Sequence, residues 1–242
     1  MKFKFFISAD KIPRNSNFMF VSLLKKTIEL GDKSLFNDLY FWNSKKNKKI
    51  KPFCFSIFLN NFKIEEKIIE TVGGVELTVS TPDYNLGIAI YNGVLKLKEF
   101  KYKDFKISID RVVLLKEKEA KNGFIPCKTL SPIYIRDRDN NPIAIEDEAF
   151  EKELNYISNK FLEVYRGYSL NKPLKFINVA MRKKVVKEEI EGFKENTNKD
   201  IMYVNCYHGL FNLEGDIEDL NVLLKSGLGF RRSEGYGLFE II

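Results

Sequence analysis

Two segments of the chain combine residue types that suit contact with a phosphate backbone. Residues 227–237 read GLGFRRSEGYG, with four glycines spaced G-x-G-x5-G-x-G around Arg231 and Arg232. Glycine permits positive φ and lets backbone N–H groups approach phosphate oxygens, and the two arginines add charge. Residues 44–51 contain five lysines shortly after Tyr40. Both segments are therefore candidates for binding a polyanion.

A third basic cluster and the overall charge support the same interpretation. Arg182, Lys183, Lys184 and Lys187 lie close together, and the chain has 40 Lys and Arg against 33 Asp and Glu, a net charge of +7. A single charged run is typical of a solvated loop, but three separate clusters favour a nucleic-acid surface. The glycine segment is neither a P-loop, since G-K-[ST] is absent, nor a dinucleotide fingerprint, since no βαβ unit follows it.

The elements that must position these residues follow one order in the first half of the chain. Charged and apolar residues alternate over residues 2–8, which predicts a strand, and Ser16 and Gly31 bracket an amphipathic helix. The remaining predictions are a short helix within 33–43, strands at 52–59, 75–80 and 105–115, and a helix over 82–92 that Gly93 stops. Apart from the short helix, this is the strand-helix-strand-strand-helix-strand order of a ferredoxin-like unit.

The second half repeats that order. The predicted elements are strands at 124–130, 175–181, 184–190, 202–211 and 236–242, a helix from 147 to 165, and a helix capped by Asp216 and ended by Gly227. The polar stretch 116–123 marks the boundary. We therefore predict an α+β fold of two tandem ferredoxin-like, RRM-like (βαββαβ) domains, residues 1–122 and 123–242.

Three segments resemble one protein family. The ending YHGLFNLEGD followed by a short helix and GLGFRRSEGYGLFEI resembles the C-terminus of the CRISPR repeat-processing endoribonucleases of the RAMP superfamily, and TLSPI at 129–133 and KPFCFS at 51–56 are similar to its other strands. The resemblance implies a protein of antiviral defence that binds the repeat of precursor CRISPR RNA and cuts it without metal. The 2′-hydroxyl next to the scissile phosphate would attack, which leaves a 2′,3′-cyclic phosphate and a 5′-hydroxyl.

The resemblance also implies site residues. Lys51 matches the lysine that stabilises the transition state, Lys25 the helix position that is Tyr in some members, and Tyr40 the position of the usual catalytic His. The RNA-binding residues that we predict are Lys45, Lys46, Lys48, Lys49, Lys128, Arg182, Lys183, Lys184, Gly227, Gly229, Arg231, Arg232, Ser233, Gly235 and Gly237.

The missing histidine leaves the chemistry open. The single histidine, His208, lies on a predicted strand far from Tyr40. A phenol with a pKa near 10 suits an acid better than a base, and crowding can lower the pKa of a lysine, so one of Lys45, Lys46, Lys48 or Lys49 is a candidate base. The alternatives are slow cleavage, RNA binding without cleavage, and a structural subunit of a larger ribonucleoprotein.

Composition excludes several other classes of protein. Charged or polar residues interrupt every apolar run before it reaches membrane-spanning length, and the N-terminus lacks the apolar core of a secretory signal, so we expect a cytoplasmic protein without membrane contact. Cys54, Cys127 and Cys206 are odd in number and widely spaced, which predicts reduced core residues and no metal site or cofactor. The expected partners are CRISPR repeat RNA and CRISPR effector subunits, with the protein as a monomer or homodimer.

Overall fold

The structure, a computed structural model, describes residues 1–42, 45–47, 49–188 and 202–242. The chain divides into two compact units. The first unit comprises Met1–Glu117 with Ser233–Gly235, and the second comprises Lys118–Arg232 with Tyr236–Ile242. The change of unit after Glu117 lies within the polar stretch that the sequence marks as a boundary.

The first unit is built on a five-stranded antiparallel sheet. Its elements are β1 (Lys2–Ser8), β2 (Lys11–Pro13), α1 (Asn17–Gly31), α2 (Lys33–Tyr40), β3 (Phe41–Trp42), β4 (Lys45–Lys46), β5 (Cys54–Leu59), β6 (Phe62–Ile64), β7 (Ile68–Thr71), β8 (Val75–Ser80), α3 (Tyr84–Lys96), β9 (Glu99–Tyr102) and β10 (Phe105–Leu115). The main sheet has the order β5-β8-β1-β10-β9, whose first four strands have the ferredoxin-like order. A small sheet, β2-β7-β6, and the β3-β4 hairpin are additions that the sequence did not indicate, because strands of two to four residues carry little periodicity.

Alternation along β1 builds the core of this unit. Phe3, Phe5 and Ile7 are buried, as the sequence predicts, and they belong to one apolar cluster with residues of α1 and α3. Gly93 was predicted to stop the second long helix, and this was wrong: it lies inside α3, where an added Cβ would be 1.8 Å from the carbonyl oxygen of Thr27. Gly93 therefore permits close packing of α3 against α1.

The second unit has the same ferredoxin-like strand order as the first unit, without the additional small sheet and hairpin. Its elements are β11 (Phe124–Thr129), α4 (Glu148–Arg166), β12 (Lys175–Glu188), β13 (Met202–Glu214), α5 (Ile217–Ser226), a 3₁₀ turn (Arg232–Glu234, partly in the first unit) and β14 (Phe239–Ile241). The sheet order β12-β13-β11-β14 corresponds, strand by strand, to β5-β8-β1-β10 of the first unit. The predicted fold of two ferredoxin-like domains is thus confirmed.

Two strand predictions in the second unit were wrong in detail. Residues 175–181 and 184–188 form one strand, β12, because the irregularity between Asn178 and Ala180 is a bulge in its pairing with β13 and not a turn. Residues 189 and 190 lie outside the described residues. The last strand begins only at Phe239, since the segment before it makes turns.

One predicted helix cap and the state of the cysteines agree with the sequence, and a second cap agrees in position only. Asp216 caps α5 by accepting hydrogen bonds from the N–H groups of Glu218 and Asp219, as predicted, whereas Ser16 stands at the N-cap of α1 without a side-chain capping bond. The three cysteines are buried and unbridged, as predicted. Along the described chain, no helix is long and apolar enough to cross a membrane.

Candidate functional site

The three residues predicted to act in catalysis lie together in the first unit. Tyr40 ends α2, Lys25 projects from α1, and Lys51 precedes β5. The Nζ atoms of Lys25 and Lys51 each lie 5.1 Å from the centroid of the Tyr40 ring. Phe36, one turn earlier on α2, packs on the same ring at 5.1 Å between centroids. A phenol thus sits within reach of two ammonium groups, the distance range of cation–π contact.

A hairpin holds this cluster, and Asn47 is its organising residue. The Asn47 backbone N–H donates to the carbonyl of Tyr40 at 3.0 Å, and its side-chain amide donates to the carbonyl of Phe41 at 3.0 Å. The Asn47 Oδ1 accepts from the backbone N–H of Lys49, whose carbonyl in turn accepts from the Lys51 ammonium at 2.8 Å. Sequence reasoning missed Asn47, although an Asn within a lysine run is a turn signal.

Burial and charge shift the pKa values of Lys51 and Tyr40 in opposite directions. Burial lowers the pKa of Lys51, the Glu234 carboxylate opposes that shift, and the Lys25 ammonium adds to it. Burial also raises the pKa of Tyr40 far above its usual value. Tyr40 is therefore a hydrogen-bond donor at all physiological pH values, while Lys51 is a desolvated cation that loses its proton more readily than an exposed lysine.

The predicted RNA-binding lysines of the first unit are placed at its surface where the structure describes them. Lys45 on β4 and Lys49 are exposed. Lys48 and the side chain of Lys46 lie outside the described residues. The exposed lysines are hydrated cations, which suits phosphate contact rather than the desolvated environment that characterises Lys51.

The predicted basic residues of the second unit also lie at the surface of its sheet. Arg182, Lys183 and Lys184 on β12 are exposed, and His208 on β13, also exposed, stands opposite Arg182. Lys128 on β11 is exposed too and pairs with Glu240 at 3.1 Å. The row on β12 therefore offers three consecutive exposed basic side chains, whereas Lys128 on β11 is a single one and is paired.

The glycine segment adopts the conformation that its spacing predicts. Gly227, Gly229, Gly235 and Gly237 all have positive φ, between 76° and 91°. A Cβ on Gly229 would lie 2.6 Å from the carbonyl oxygen of Tyr134, and one on Gly237 would lie 1.9 Å from that of Leu228. Because the backbone approaches so closely, glycine is required at both positions.

Both arginines of this segment are engaged within the second unit. Arg231 Nη2 donates to the Glu188 carboxylate at 2.6 Å, and the Tyr236 hydroxyl donates to the other oxygen of that carboxylate at 2.6 Å. Arg232 is 5% exposed, with its guanidinium 4.0 Å from the Phe161 ring centroid. RNA contact by Arg231, Arg232 and the nearby Ser233 stays a prediction.

Glu188 and Tyr236 are the residues that sequence reasoning missed here. Glu188 is 2% exposed at the end of β12, and Tyr236 is fully buried. A glutamate after three lysines and two valines looks like part of a solvated charge run, so no local signal announces its burial. In the parts of the chain that the structure describes, no group of three or more His, Cys, Asp or Glu residues is arranged to hold a metal ion.

Comparisons with known proteins identify the family of this chain. Residues 115–241 match the family model described as CRISPR associated protein Cas6, C-terminal. No curated protein sequence matches the chain.

Several solved structures share the whole fold. A Cas6-related protein from Pyrococcus furiosus is 20% identical with a TM-score of 0.81, and the match covers 100% of this chain and 98% of that chain. A RAMP protein described as binding different RNA substrates is 19% identical with a TM-score of 0.80, covering 100% and 99%. A Cas6 product complex is 14% identical with a TM-score of 0.65, again covering 100% and 99%. At these identities the likeness concerns the fold, while the family model spans more than half of the sequence, and the chain therefore belongs to the Cas6 family of CRISPR-associated proteins.

Proposed function

We propose that this protein binds CRISPR repeat RNA and cleaves it by a metal-independent transesterification in the first unit. Membership of the Cas6 family supports RNA binding and processing in general. The observation that carries the finer proposal is the cluster in which Lys25 and Lys51 each stand 5.1 Å from the Tyr40 ring.

In this proposal the 2′-hydroxyl oxygen beside the scissile phosphate attacks phosphorus. The new O2′–P bond forms, the P–O5′ bond breaks, and the products carry a 2′,3′-cyclic phosphate and a 5′-hydroxyl. Lys51 and Lys25 supply positive charge to the phosphorane, whose extra negative charge is what a pre-positioned cation stabilises. Because both ammonium groups already lie beside Tyr40, they need little rearrangement when charge develops.

The two proton transfers have separate agents. Tyr40 is protonated before cleavage, because burial raises the pKa of its phenol, and it transfers this proton to the departing 5′-oxygen, which is more basic still; a proton from water then restores the phenol. The proton of the 2′-hydroxyl goes to one of the lysines of the run, Lys45, Lys46, Lys48 or Lys49, in its neutral form. Cleavage is expected to be slow, because histidine is the side chain whose unperturbed pKa best suits proton transfer near neutral pH and the cluster around Tyr40 contains none.

The RNA lies along exposed basic residues in this proposal. Lys45 and Lys49 in the first unit, and Arg182, Lys183 and Lys184 in the second, neutralise phosphates. The backbone of the glycine segment is closely packed, and the ion pair between Glu188 and Arg231 stabilises its conformation.

The test is single-turnover cleavage of end-labelled repeat RNA in excess EDTA. The expected result is a product with a 2′,3′-cyclic phosphate, and a substrate with 2′-deoxyribose at the scissile nucleotide is expected to bind normally and remain intact. A Lys51→Ala protein tests the site, with Lys33→Ala as the control, since Lys33 is an exposed lysine at the end of α2 opposite Tyr40. Tight binding of repeat RNA without any product would reject cleavage and leave a non-cleaving RNA-binding protein.

A further inference from the structure

The glycine segment contains an acidic residue that contact with phosphate does not explain. Glu234 follows the basic pair and Ser233 within the sequence GLGFRRSEGYG. It closes the 3₁₀ turn Arg232–Glu234 and is half-buried, so its carboxylate is partly withdrawn from water. A carboxylate repels a phosphate oxygen at close range, and a segment that only bound RNA would gain from a neutral residue there. The group on which this carboxylate acts is therefore expected within the protein.

A close packing contact fixes the position of this acidic residue. The stretch Ser233–Gly235 belongs to the first unit, although the residues on either side of it belong to the second. Gly235 has a φ of 91°, and an added Cβ would lie 2.9 Å from the Phe55 ring and 3.1 Å from the side-chain nitrogen of Asn17. Phe55 is fully buried in β5, and Asn17 begins α1. The backbone next to Glu234 is thus packed against β5 and α1, the elements next to the two proposed catalytic lysines.

The Lys51 ammonium meets groups from several segments of the first unit. It donates to the Lys49 carbonyl at 2.8 Å and lies 5.1 Å from the centroid of the Tyr40 ring. Burial lowers the pKa of Lys51, the Glu234 carboxylate opposes this shift, and the Lys25 ammonium on α1 adds to it. Of these groups, Glu234 is the one with a negative charge. Without it, the remaining effects of burial and of Lys25 would both favour loss of the Lys51 proton.

We propose that Glu234 is a positioning residue that keeps the Lys51 ammonium charged within the cluster around Tyr40. This inference rests on the proposed catalytic role of Lys51, through which Glu234 acts without touching RNA. Its carboxylate offsets the loss of hydration of a half-buried cation. Glycine at position 235 is required for this placement, because the left-handed backbone and the contact with Phe55 leave no room for a Cβ. The glycine segment thus contributes a charge to the site as well as a shape.

The direct test measures the protonation of Lys51 in the RNA-free, full-length protein. Acetic anhydride in trace amounts labels neutral lysines, and tandem mass spectrometry gives the labelling of Lys51 at each pH. Glu234→Gln removes the charge and keeps the size of the side chain. The Lys51 labelling profile is then expected to move to lower pH by roughly half a pH unit, about a threefold rise in the neutral fraction. Glu234→Asp keeps the carboxylate and is expected to retain most of the wild-type profile.

The matched control is Glu99→Gln. Glu99 lies on β9, at the opposite edge of the main sheet from β5, and it pairs with Lys106 at 2.9 Å where both side chains are exposed. This variant removes the same charge from the same unit and is expected to leave the Lys51 profile unchanged. Circular dichroism verifies that each variant is folded.

Cleavage kinetics separate this role of Glu234 from a purely structural one. The ratio of the Glu234→Gln rate to the wild-type rate is expected to fall about threefold between about pH 7 and pH 10, because the variant loses the charge of Lys51 at lower pH. In a Lys51→Arg background, the same substitution is expected to give a ratio that does not change with pH, since a guanidinium keeps its charge.

The outcomes distinguish this inference from the proposed function. An unchanged Lys51 labelling profile in Glu234→Gln overturns the inference, and so does a rate ratio that falls equally in both backgrounds. A wild-type protein that cleaves no RNA rejects the proposed function instead, and the labelling profile still decides whether Glu234 keeps Lys51 charged.

Discussion

The two units share one strand order but use their charged residues in opposite ways. In the first unit, Lys25 and Lys51 gather around the ring of Tyr40, with the Glu234 carboxylate acting on Lys51. In the second unit, Arg231 of the glycine segment, whose side chain is 15% exposed, meets the buried carboxylate of Glu188 directly. Ammonium groups thus gather around one ring in the first unit, whereas the charge of Arg231 is neutralised within the second.

A second internal pair strengthens the contrast. Arg166 at the end of α4 is hydrogen-bonded to Asp219 of α5, whose side chain is fully buried, and Asp219 also accepts from the backbone N–H of Asn171. The polar groups of this network find their hydrogen-bond partners within the unit, so the paired charges are not offered to a ligand. One scaffold can thus use charge in two ways: the cluster around Tyr40 holds ammonium groups suited to contact with a phosphate, while the internal pairs of the second unit fix the shape of a loop.

The largest expected effect concerns the internal pair of the second unit. Arg231→Ala leaves the Glu188 carboxylate 2% exposed without its cation, and breaking a buried pair in this way costs about 3 to 5 kcal/mol of unfolding free energy. Urea denaturation followed by circular dichroism measures it. Lys128→Ala is the control, since its pair with Glu240 is solvent-exposed and is expected to contribute less than about 1 kcal/mol. Equal effects of the two substitutions would erase the contrast between the units.

The next effect concerns the cluster of the first unit. Lys51→Ala is expected to slow single-turnover cleavage by about 10² to 10³-fold, because it removes a positioned cation from the transition state, with little change in RNA affinity. Lys33→Ala is expected to change the rate by less than about threefold, since this exposed cation lies at the other end of α2 and is screened by water. If both variants lose affinity and rate together, Lys51 contributes to binding instead of catalysis.

Local sequence patterns predicted the fold well where structure depends on near neighbours. The alternation in β1, the Asp216 cap and the positive φ of the four glycines all depend on short stretches of chain, and all are confirmed. Gly93 was misread because a glycine that ends a helix and one that admits a neighbouring helix look alike in sequence, and only the contact with Thr27 distinguishes them.

The site could be predicted only in part. Tyr40, Lys51 and Lys25 were found by resemblance to a family, and the structure brings them together across 26 residues of chain. Glu188 could not be found, because its partners Arg231 and Tyr236 lie 43 and 48 residues away and its neighbours in sequence suggest exposure. Buried charges that pair across long stretches of chain leave no periodic pattern in the sequence, so sequence periodicity cannot predict them.

A smaller effect is expected from the exposed basic row of the second unit. Replacing Arg182, Lys183 and Lys184 by serine is expected to weaken RNA binding and to reduce the slope of log affinity against log salt by about 2, since each phosphate contact to a single strand contributes roughly 0.7. Filter binding at several salt concentrations measures this slope. Arg231→Ala is the comparison variant, and its salt slope is expected to equal that of the wild-type protein because Glu188 already neutralises Arg231. A reduced slope would indicate that Arg231 contacts an RNA phosphate.

The smallest effect concerns the pH dependence of cleavage. Burial lowers the pKa of Lys51 below that of an ordinary lysine, so its cationic form is present at neutral pH and is lost as the pH rises through that lowered value. If Lys51 acts by its charge, the ratio of the wild-type rate to the Lys51→Arg rate falls on the alkaline side, because a guanidinium does not deprotonate in the accessible range. Taking this ratio cancels the rise with pH that a lysine of the run acting as proton acceptor gives to both proteins. Single-turnover rates between about pH 7 and pH 10 are expected to change the ratio by a few-fold at the alkaline end. A ratio that rises through the same range would instead make Lys51 the proton acceptor, since only neutral lysine can take the proton of the 2′-hydroxyl.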